Sequence, residues 1–234
     1  MNCPIKKRLL LLFFLCSMAA SYPWAAAQNT ASRPEEIEWT WEVRPSHVDP
    51  KLPNVLLVGD SITRNYFPEV QRQLAGVANV YLFASSTSVG DPRLARQLDE
   101  FASMENVPFK VVHLNNGMHG WNYSEDEFKN AFPSLLQELH TIAPNASLIW
   151  ATITPVRAEK SPGPTNARID RRNSIALALV AKAGIPIDDQ HELMTHHTDQ
   201  YEDDVHFNPA GASIQGKQAA EFVRATLVRG SGLR

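Results

Sequence analysis

Four short stretches of the chain carry side chains that could move a proton and make a bond. Val58-Gly59-Asp60-Ser61-Ile62-Thr63 closes an apolar run. A serine on a strand-to-helix turn has its hydroxyl at the sheet edge and its backbone N–H in the same crevice. Such a hydroxyl is a candidate nucleophile and equally a helix cap, since serine serves both purposes. Near the far end, Glu202-Asp203-Asp204-Val205-His206 sets a carboxylate and an imidazole three residues apart. In a turn, Asp203 can accept from Nδ1 of His206 and leave Nε2 free to face a serine, whereas Asp204 should point elsewhere. Asn115-Asn116-Gly117-Met118-His119-Gly120 offers two side-chain amides that can donate to an oxygen or simply shape a turn. In the polar loop from Ala84 to Asp91, Gly90 permits close approach of the backbone to a ligand.

These stretches must be brought together by the elements between them. The short apolar runs 55–58, 80–83, 111–114, 148–151 and 185–187 read as five strands, apolar on both faces as a covered parallel sheet requires. Amphipathic segments 66–75, 92–103, 125–142 and 167–183 read as helices between them. Ser124 and Glu127 form a capping box for the third, and Pro133 is expected to kink or shorten it. A last helix should follow Asn208-Pro209. The alternation predicts an α/β fold: a three-layer α/β/α sandwich with a five-stranded, mainly parallel sheet of the flavodoxin-like, doubly wound type. Ligands of such sheets bind beyond the carboxyl ends of the strands, where all four stretches fall. Ahead of this pattern, residues 28–53 form an N-terminal extension in which Ile37, Trp39, Trp41 and Val43 alternate with Glu36, Glu38, Thr40 and Glu42. Period two predicts an edge strand or strap, with an aromatic lip for a sugar as the alternative.

Composition bounds the function. The 234 residues are 44% hydrophobic and 20% charged, an ordinary soluble balance. Lys6, Lys7 and Arg8 precede an apolar run from Leu9 to Ala20, and Ala25-Ala26-Ala27 follows, so residues 1–27 read as a signal peptide and the location as periplasmic or extracellular. A retained membrane anchor, with Tyr22, Pro23 and Trp24 at the interface, is the alternative; no stable anchor is expected. Cleavage takes the net charge from −3 to −6 and removes both cysteines, Cys3 and Cys16. An acidic chain argues against a nucleic-acid partner, and one without cysteine must be held by its core. Residues 54–234 are expected to form the catalytic domain.

Gly59-Asp60-Ser61, Gly90, the Asn-bearing loop and Asp203-x-x-His206, in this order and spacing, resemble the SGNH (GDSL) hydrolase family from Asn54 to about Leu227. The resemblance implies a serine esterase with Ser61 as nucleophile, His206 as general base and then acid, and Asp203 orienting the imidazole. It also implies an oxyanion hole made by the backbone N–H groups of Ser61 and Gly90 and an Asn side chain, without metal or organic cofactor. The family commonly has Gly-x-Asn-Asp where this chain has Asn115-Asn116-Gly117-Met118-His119, so Asn116 is assigned to the hole, with Asn115 as the competing choice.

Two other classes compete. A metallohydrolase is the first, since Asp188, Asp189, His191, Glu192, His196, His197 and Asp199 crowd one segment, but His191 and His196 are five apart rather than four, and no H-E-x-x-H occurs. A non-catalytic carbohydrate-binding protein on the same fold is the second. Export and Trp39, Trp41 and Trp121 favour an acetylesterase acting on a carbohydrate, with a short-chain carboxylesterase or lipase-like hydrolase of other substrate as runner-up. Trp121 could wall the acyl pocket, stack on a sugar or pack, and the 157–168 segment could shape the leaving-group side or merely connect elements.

Overall fold

The computed structural model describes residues 31–231; the expected signal peptide lies outside them. The elements run in the order β1 (Thr40–Val43), β2 (Asn54–Gly59), α1 (Ser61–Gln73), β3 (Asn79–Ser85), α2 (Arg93–Glu105), β4 (Phe109–Leu114), α3 (Glu125–Ile142), β5 (Ser147–Ala151), α4 (Asn166–Lys182), β6 (Ile187–Asp188), α5 (Gln190–Thr195) and α6 (Pro209–Ser231). The sheet has six strands in the order β1-β3-β2-β4-β5-β6. The five expected strands are parallel, and the sixth is the N-terminal segment, which pairs antiparallel with β3 as an edge strand. The sheet is therefore one strand wider than the five expected.

Two hydrophobic layers follow from the pleat of the strands. Val55 and Leu57 of β2, with Val80 and Leu82 of β3, face α1 and α6. Leu56 and Val58, with Tyr81 and Phe83, face α2, α3 and α4. Alternate residues point to opposite faces, so both faces of each central strand must be apolar, which produces the continuous apolar runs. β6 is only two residues long, shorter than expected, because Pro186 lacks an N–H for the ladder and its carbonyl alone pairs, with Trp150 N.

The helices start where side chains satisfy their free N–H groups. α1 begins at Ser61, earlier than the hydrophobic periodicity indicated, because Oδ1 of Asp60 accepts from Ile62 N at 3.0 Å. α3 starts on the reciprocal Ser124–Glu127 box. Pro133 does not shorten it: the helix runs on to Ile142 with Pro133 exposed, so the carbonyl left unpaired by proline is open to water. α6 has Pro209 in its first turn, and Oδ1 of Asn208 accepts from Ala210 and Gly211 N–H.

Trp150 of β5 is fully buried, its ring edge-on to Phe132 at 4.9 Å between centroids. Trp150→Ala should therefore cost about 3–5 kcal/mol of unfolding free energy in urea titrations followed by circular dichroism; a loss below about 1 kcal/mol would contradict this packing.

Candidate active site

The loops that follow β2, β3 and β4, and the turn that precedes α6, meet at the carboxyl edge of the sheet. Ser61 opens α1, nearly buried, two residues after a β2 terminus that has no room for a side chain: a Cβ on Gly59 would lie 2.0 Å from Oγ1 of Thr63. Nε2 of His206 lies 2.7 Å from Ser61 Oγ, across 145 residues of chain. Nδ1 of His206 lies 2.8 Å from Oδ2 of Asp203. A carboxylate only accepts, so Nδ1 carries the proton, Nε2 is a lone pair, and the Ser61 O–H donates to it. This arrangement can take a proton from the hydroxyl as it attacks an electrophile.

The turn itself holds the acid and the imidazole together. Oδ1 of Asp203 accepts from the N–H groups of Val205 and His206, both at 2.7 Å. A bridge between Tyr201 and Phe207, whose rings stack at 4.4 Å, closes the loop's base. Burial alone would raise the Asp203 carboxyl, but the two backbone N–H groups and the imidazole outweigh it and bring the carboxyl down to about 2. Asp204 points away, as its spacing suggested, towards Arg157 at 3.6 Å and Lys160 at 3.4 Å. Arg157 N also donates to Asp204 O at 2.8 Å, so the 157–168 segment docks beside the triad turn.

The second and third loops interlock. A Cβ on Gly90 would stand 2.7 Å from the ring of Tyr123, which explains the glycine by close approach. Asn116, 2% exposed, accepts from Val89 N at 3.0 Å and donates through Nδ2 to Thr87 O at 3.1 Å, with one amide hydrogen left over. Asn115 uses its amide on the carbonyls of Ala151 and Thr152, at 2.9 and 3.1 Å, so neither hydrogen remains for a ligand. The structure thus brings Ser61, Asp203 and His206 into one chain of hydrogen bonds, sets Gly90 and Asn116 in adjoining loops, and turns Asn115 away into the β5 terminus.

Three residues that the sequence reading did not single out also build the site. Arg172 of α4, 1% exposed, donates to the carbonyls of Gly117 and His119 at 2.8 Å and Gly120 at 2.9 Å, clamping the loop after β4. Burial pulls its guanidinium down to about 10. Its signal was present in the sequence, since it falls on the buried stripe of α4 with Ile169 and Ala176. Glu35, from the N-terminal extension, accepts from Gly120 N and meets Nδ1 of His119, each at 2.8 Å. Arg64, one turn beyond Ser61, has its guanidinium 5.3 Å from the Trp39 ring and 5.1 Å from the Trp41 ring. The extension is lashed to both loops: Ser32 donates to Asp91, Arg33 N to Tyr123, and Trp39 N to Ser86.

Trp121 packs: its ring lies under Arg172 at 4.0 Å and its indole N–H donates to Met118 O at 2.7 Å. The acidic and histidine-rich segment disperses. Asp188 is buried against Nε2 of His113 at 2.7 Å, His191 lies 3.4 Å from Asp170, and His196 pairs with Glu192. Among the described residues no group of three or more His, Cys, Asp and Glu converges on a metal-sized site.

A sheet of this topology with a serine, histidine and aspartate at its carboxyl edge defines a hydrolase of the SGNH kind. The GDSL-like lipase/acylhydrolase family model matches residues 57–214, and the chain belongs to that family; it is an ester-cleaving acylhydrolase. No curated protein sequence is significantly similar to it. Among solved structures, the chain is similar to a lipase/acylhydrolase from Enterococcus faecalis, at 20% identity over 74% of this chain and 96% of that one, TM-score 0.59. It is similar also to the acetyl xylan esterase AlAXEase, at 18% identity over 73% and 99%, TM-score 0.59. A third is the C-terminal catalytic domain of Streptococcus pneumoniae peptidoglycan O-acetyltransferase A, at 19% identity over 76% and 96%, TM-score 0.58.

Because the folded Asp203 carboxyl sits near 2, below the ordinary ~3.9, the stability its ionisation contributes is complete above about pH 4 and is lost as pH falls through about 2. The unfolding free energy of Asp203→Asn relative to wild type should thus fall furthest behind near about pH 5 and converge towards about pH 2. The gap stays under about 1 kcal/mol for so exposed a side chain. Urea titrations across that range check the direction, and a gap that widens towards acid would contradict it.

Proposed function

We propose that the protein is an exported serine esterase that removes acetyl groups from a carbohydrate through an acyl-enzyme on Ser61. The observation that carries the reading is the 2.7 Å contact between Ser61 Oγ and His206 Nε2, with Asp203 at 2.8 Å behind the ring. His206 takes the hydroxyl proton as Oγ bonds to the ester carbonyl carbon, then returns it to the departing sugar oxygen. Asp203 stays ionised and stabilises the imidazolium that forms between these steps. The backbone N–H groups of Ser61 and Gly90, neither of which donates to another described residue, serve the oxyanion. Water then repeats the sequence on the acetyl-enzyme.

The carbohydrate half of the proposal rests on Trp39, Trp41 and Arg64. Trp41 pairs with Ala84, and Ala84 with Gly59, so Trp41 stands level with the residue before Asp60 and two strands over, about 10 Å away. That is the span of a sugar residue or two. Its side chain is exposed despite its size, and an open indole face beside a guanidinium suits an aliphatic C–H face flanked by hydroxyls. Export rests on the Lys6–Ala27 pattern, which lies outside the described residues. No helix among the described residues is long and apolar enough to cross a membrane.

Ser61→Ala should lower p-nitrophenyl acetate hydrolysis by at least ~10³-fold with an unchanged melting temperature. In a chain-length series of p-nitrophenyl esters run beside acetylated xylan, kcat/KM should peak at acetyl, and acetate should be released from the polysaccharide. Trp41→Ala should lower kcat/KM on the polysaccharide by about tenfold or more and leave the small ester untouched. A peak at longer acyl chains with no acetate release would instead favour a general carboxylesterase.

A further inference from the structure

Among the described residues, the arginines on or beside the loops of the site are matched, with one exception. Arg33 pairs with Glu127, Arg93 with Asp91 and Glu38, Arg157 with Asp204 and Arg168 with Glu125, while Arg172 holds the carbonyls of the loop after β4. The guanidinium of Arg64 makes no hydrogen bond or ion pair with any described residue; it lies against the rings of Trp39 at 5.3 Å and Trp41 at 5.1 Å. An indole ring attracts the charge through its π face but leaves the N–H donors in the guanidinium plane largely unused. The cation is therefore held in place with its donors free.

The alternation of the extension explains why no acid reaches it. Successive side chains point to opposite faces of the sheet. Trp39 and Val43 pack on the layer that α1 and α6 share, and Trp41 meets Arg64 of α1 on that side. Glu38 turns the other way, where it accepts from Arg93 at 3.0 Å and from Ser86 Oγ at 2.8 Å. The carboxylates nearer the nucleophile are also engaged: Asp203 by its own turn and His206, Glu35 by Gly120 N and His119. The chain has 25 acidic residues against 22 Lys and Arg, so an unmatched guanidinium at the crevice does not follow from a general excess of positive charge.

Its place on α1 relates it to the reaction. Arg64 follows Ser61 by three residues, which on a helix puts their Cβ atoms about 5–6 Å apart. A sugar residue esterified at the nucleophile, or the residue next to it in a polymer, comes within reach of the guanidinium.

We propose that the acetylated carbohydrate is an acidic one, and that Arg64 binds its carboxylate while Trp41 covers a C–H face of the sugar. The inference rests on the esterase reading and deepens it by naming the charge of the substrate. A planar carboxylate accepts from two N–H groups of one guanidinium at once, and the flanking indoles limit the freedom that the long side chain loses on binding. The contact lies away from the carbonyl carbon and is the same before and during the reaction, so it acts through KM rather than kcat. At a rim open to water it also draws a polyanion towards the site, an effect that salt screens.

The test measures acetate release by the full chain from acetylated polyglucuronic acid, from the same polymer with its carboxyls methyl-esterified, and from the acetylated glucuronic acid monomer and its methyl ester. Wild-type kcat/KM should be about tenfold or more higher on the acid polymer than on its ester, mainly through KM. That advantage should shrink as sodium chloride rises from about 0.01 M to about 1 M, over which the screening length falls from ~30 to ~3 Å. Arg64→Gln should bring the ratio of acid to ester close to one, and Arg64→Lys, which keeps the charge without the fork, should retain part of it. Melting temperatures accompany both variants, and if Arg64→Gln unfolds early, the wild-type ratio and its salt dependence still decide. A preference shared by the monomer places carboxylate and acetyl group on one residue, and a preference confined to the polymer places them on neighbours; both support the proposal. Equal kcat/KM on acid and ester in wild type, or a preference undiminished in folded Arg64→Gln, would overturn it. Wild-type protein that releases acetate from none of the four substrates and leaves p-nitrophenyl acetate intact would overturn the esterase reading as well, whereas equal release from acid and ester would overturn this inference alone.

Discussion

The arrangement depends on one hydrogen bond, between a hydroxyl at the start of α1 and an imidazole just before α6. Neither end of it is free to wander. Asp60 caps α1 and fixes where Ser61 emerges, and the stacked Tyr201–Phe207 bridge fixes the turn that carries His206. α1 and α6 share one hydrophobic layer against β2 and β3, with Tyr66, Phe67, Ala219 and Val223 in it. The packing of that layer therefore sets the distance between two groups 145 residues apart. Electrostatics alone would not: Asp203 is largely exposed, and an exposed ion pair is a weak constraint in water.

A second constraint comes from outside the parallel sheet. The N-terminal extension runs over the loops after β3 and β4 and donates or accepts at Asp91, Tyr123, Ser86, His119 and Gly120. Loops with irregular backbone are ordinarily the most mobile part of a doubly wound fold. Here one is pinned on two sides, by Glu35 from above and by the buried Arg172 from α4, and a donor on such a loop needs little reorganisation when charge develops. The clamp has a cost, since a guanidinium is taken out of water, and four carbonyl contacts at 2.8–3.4 Å offset it.

Much of this was legible from residue order. The parallel strands, the helix between Glu125 and Ile142 and the cap at Asn208 are local or periodic features, and the apolar runs sit where a covered sheet requires them. The Asp203–His206 pairing was legible because three residues of turn leave the carboxylate little else to reach. Hydrophobic periodicity puts the start of α1 too late because Ser61, Arg64 and Asn65 interrupt its apolar stripe, and a cap from Asp60 overrides periodicity. The role of the loop after β4 was not legible. Asn115 and Asn116 look alike in sequence and differ only in which carbonyls lie nearby, and the partner of His119 is Glu35, 84 residues away in an extension that periodicity marks only as an edge strand.

The most direct measurement is the site of covalent capture. Full-length protein treated with a fluorophosphonate probe, digested and sequenced by mass spectrometry should carry a single adduct, on Ser61, formed far more slowly when His206 is replaced by alanine. Labelling of a different serine, or ester hydrolysis by a protein that leaves Ser61 unmodified, would contradict the account.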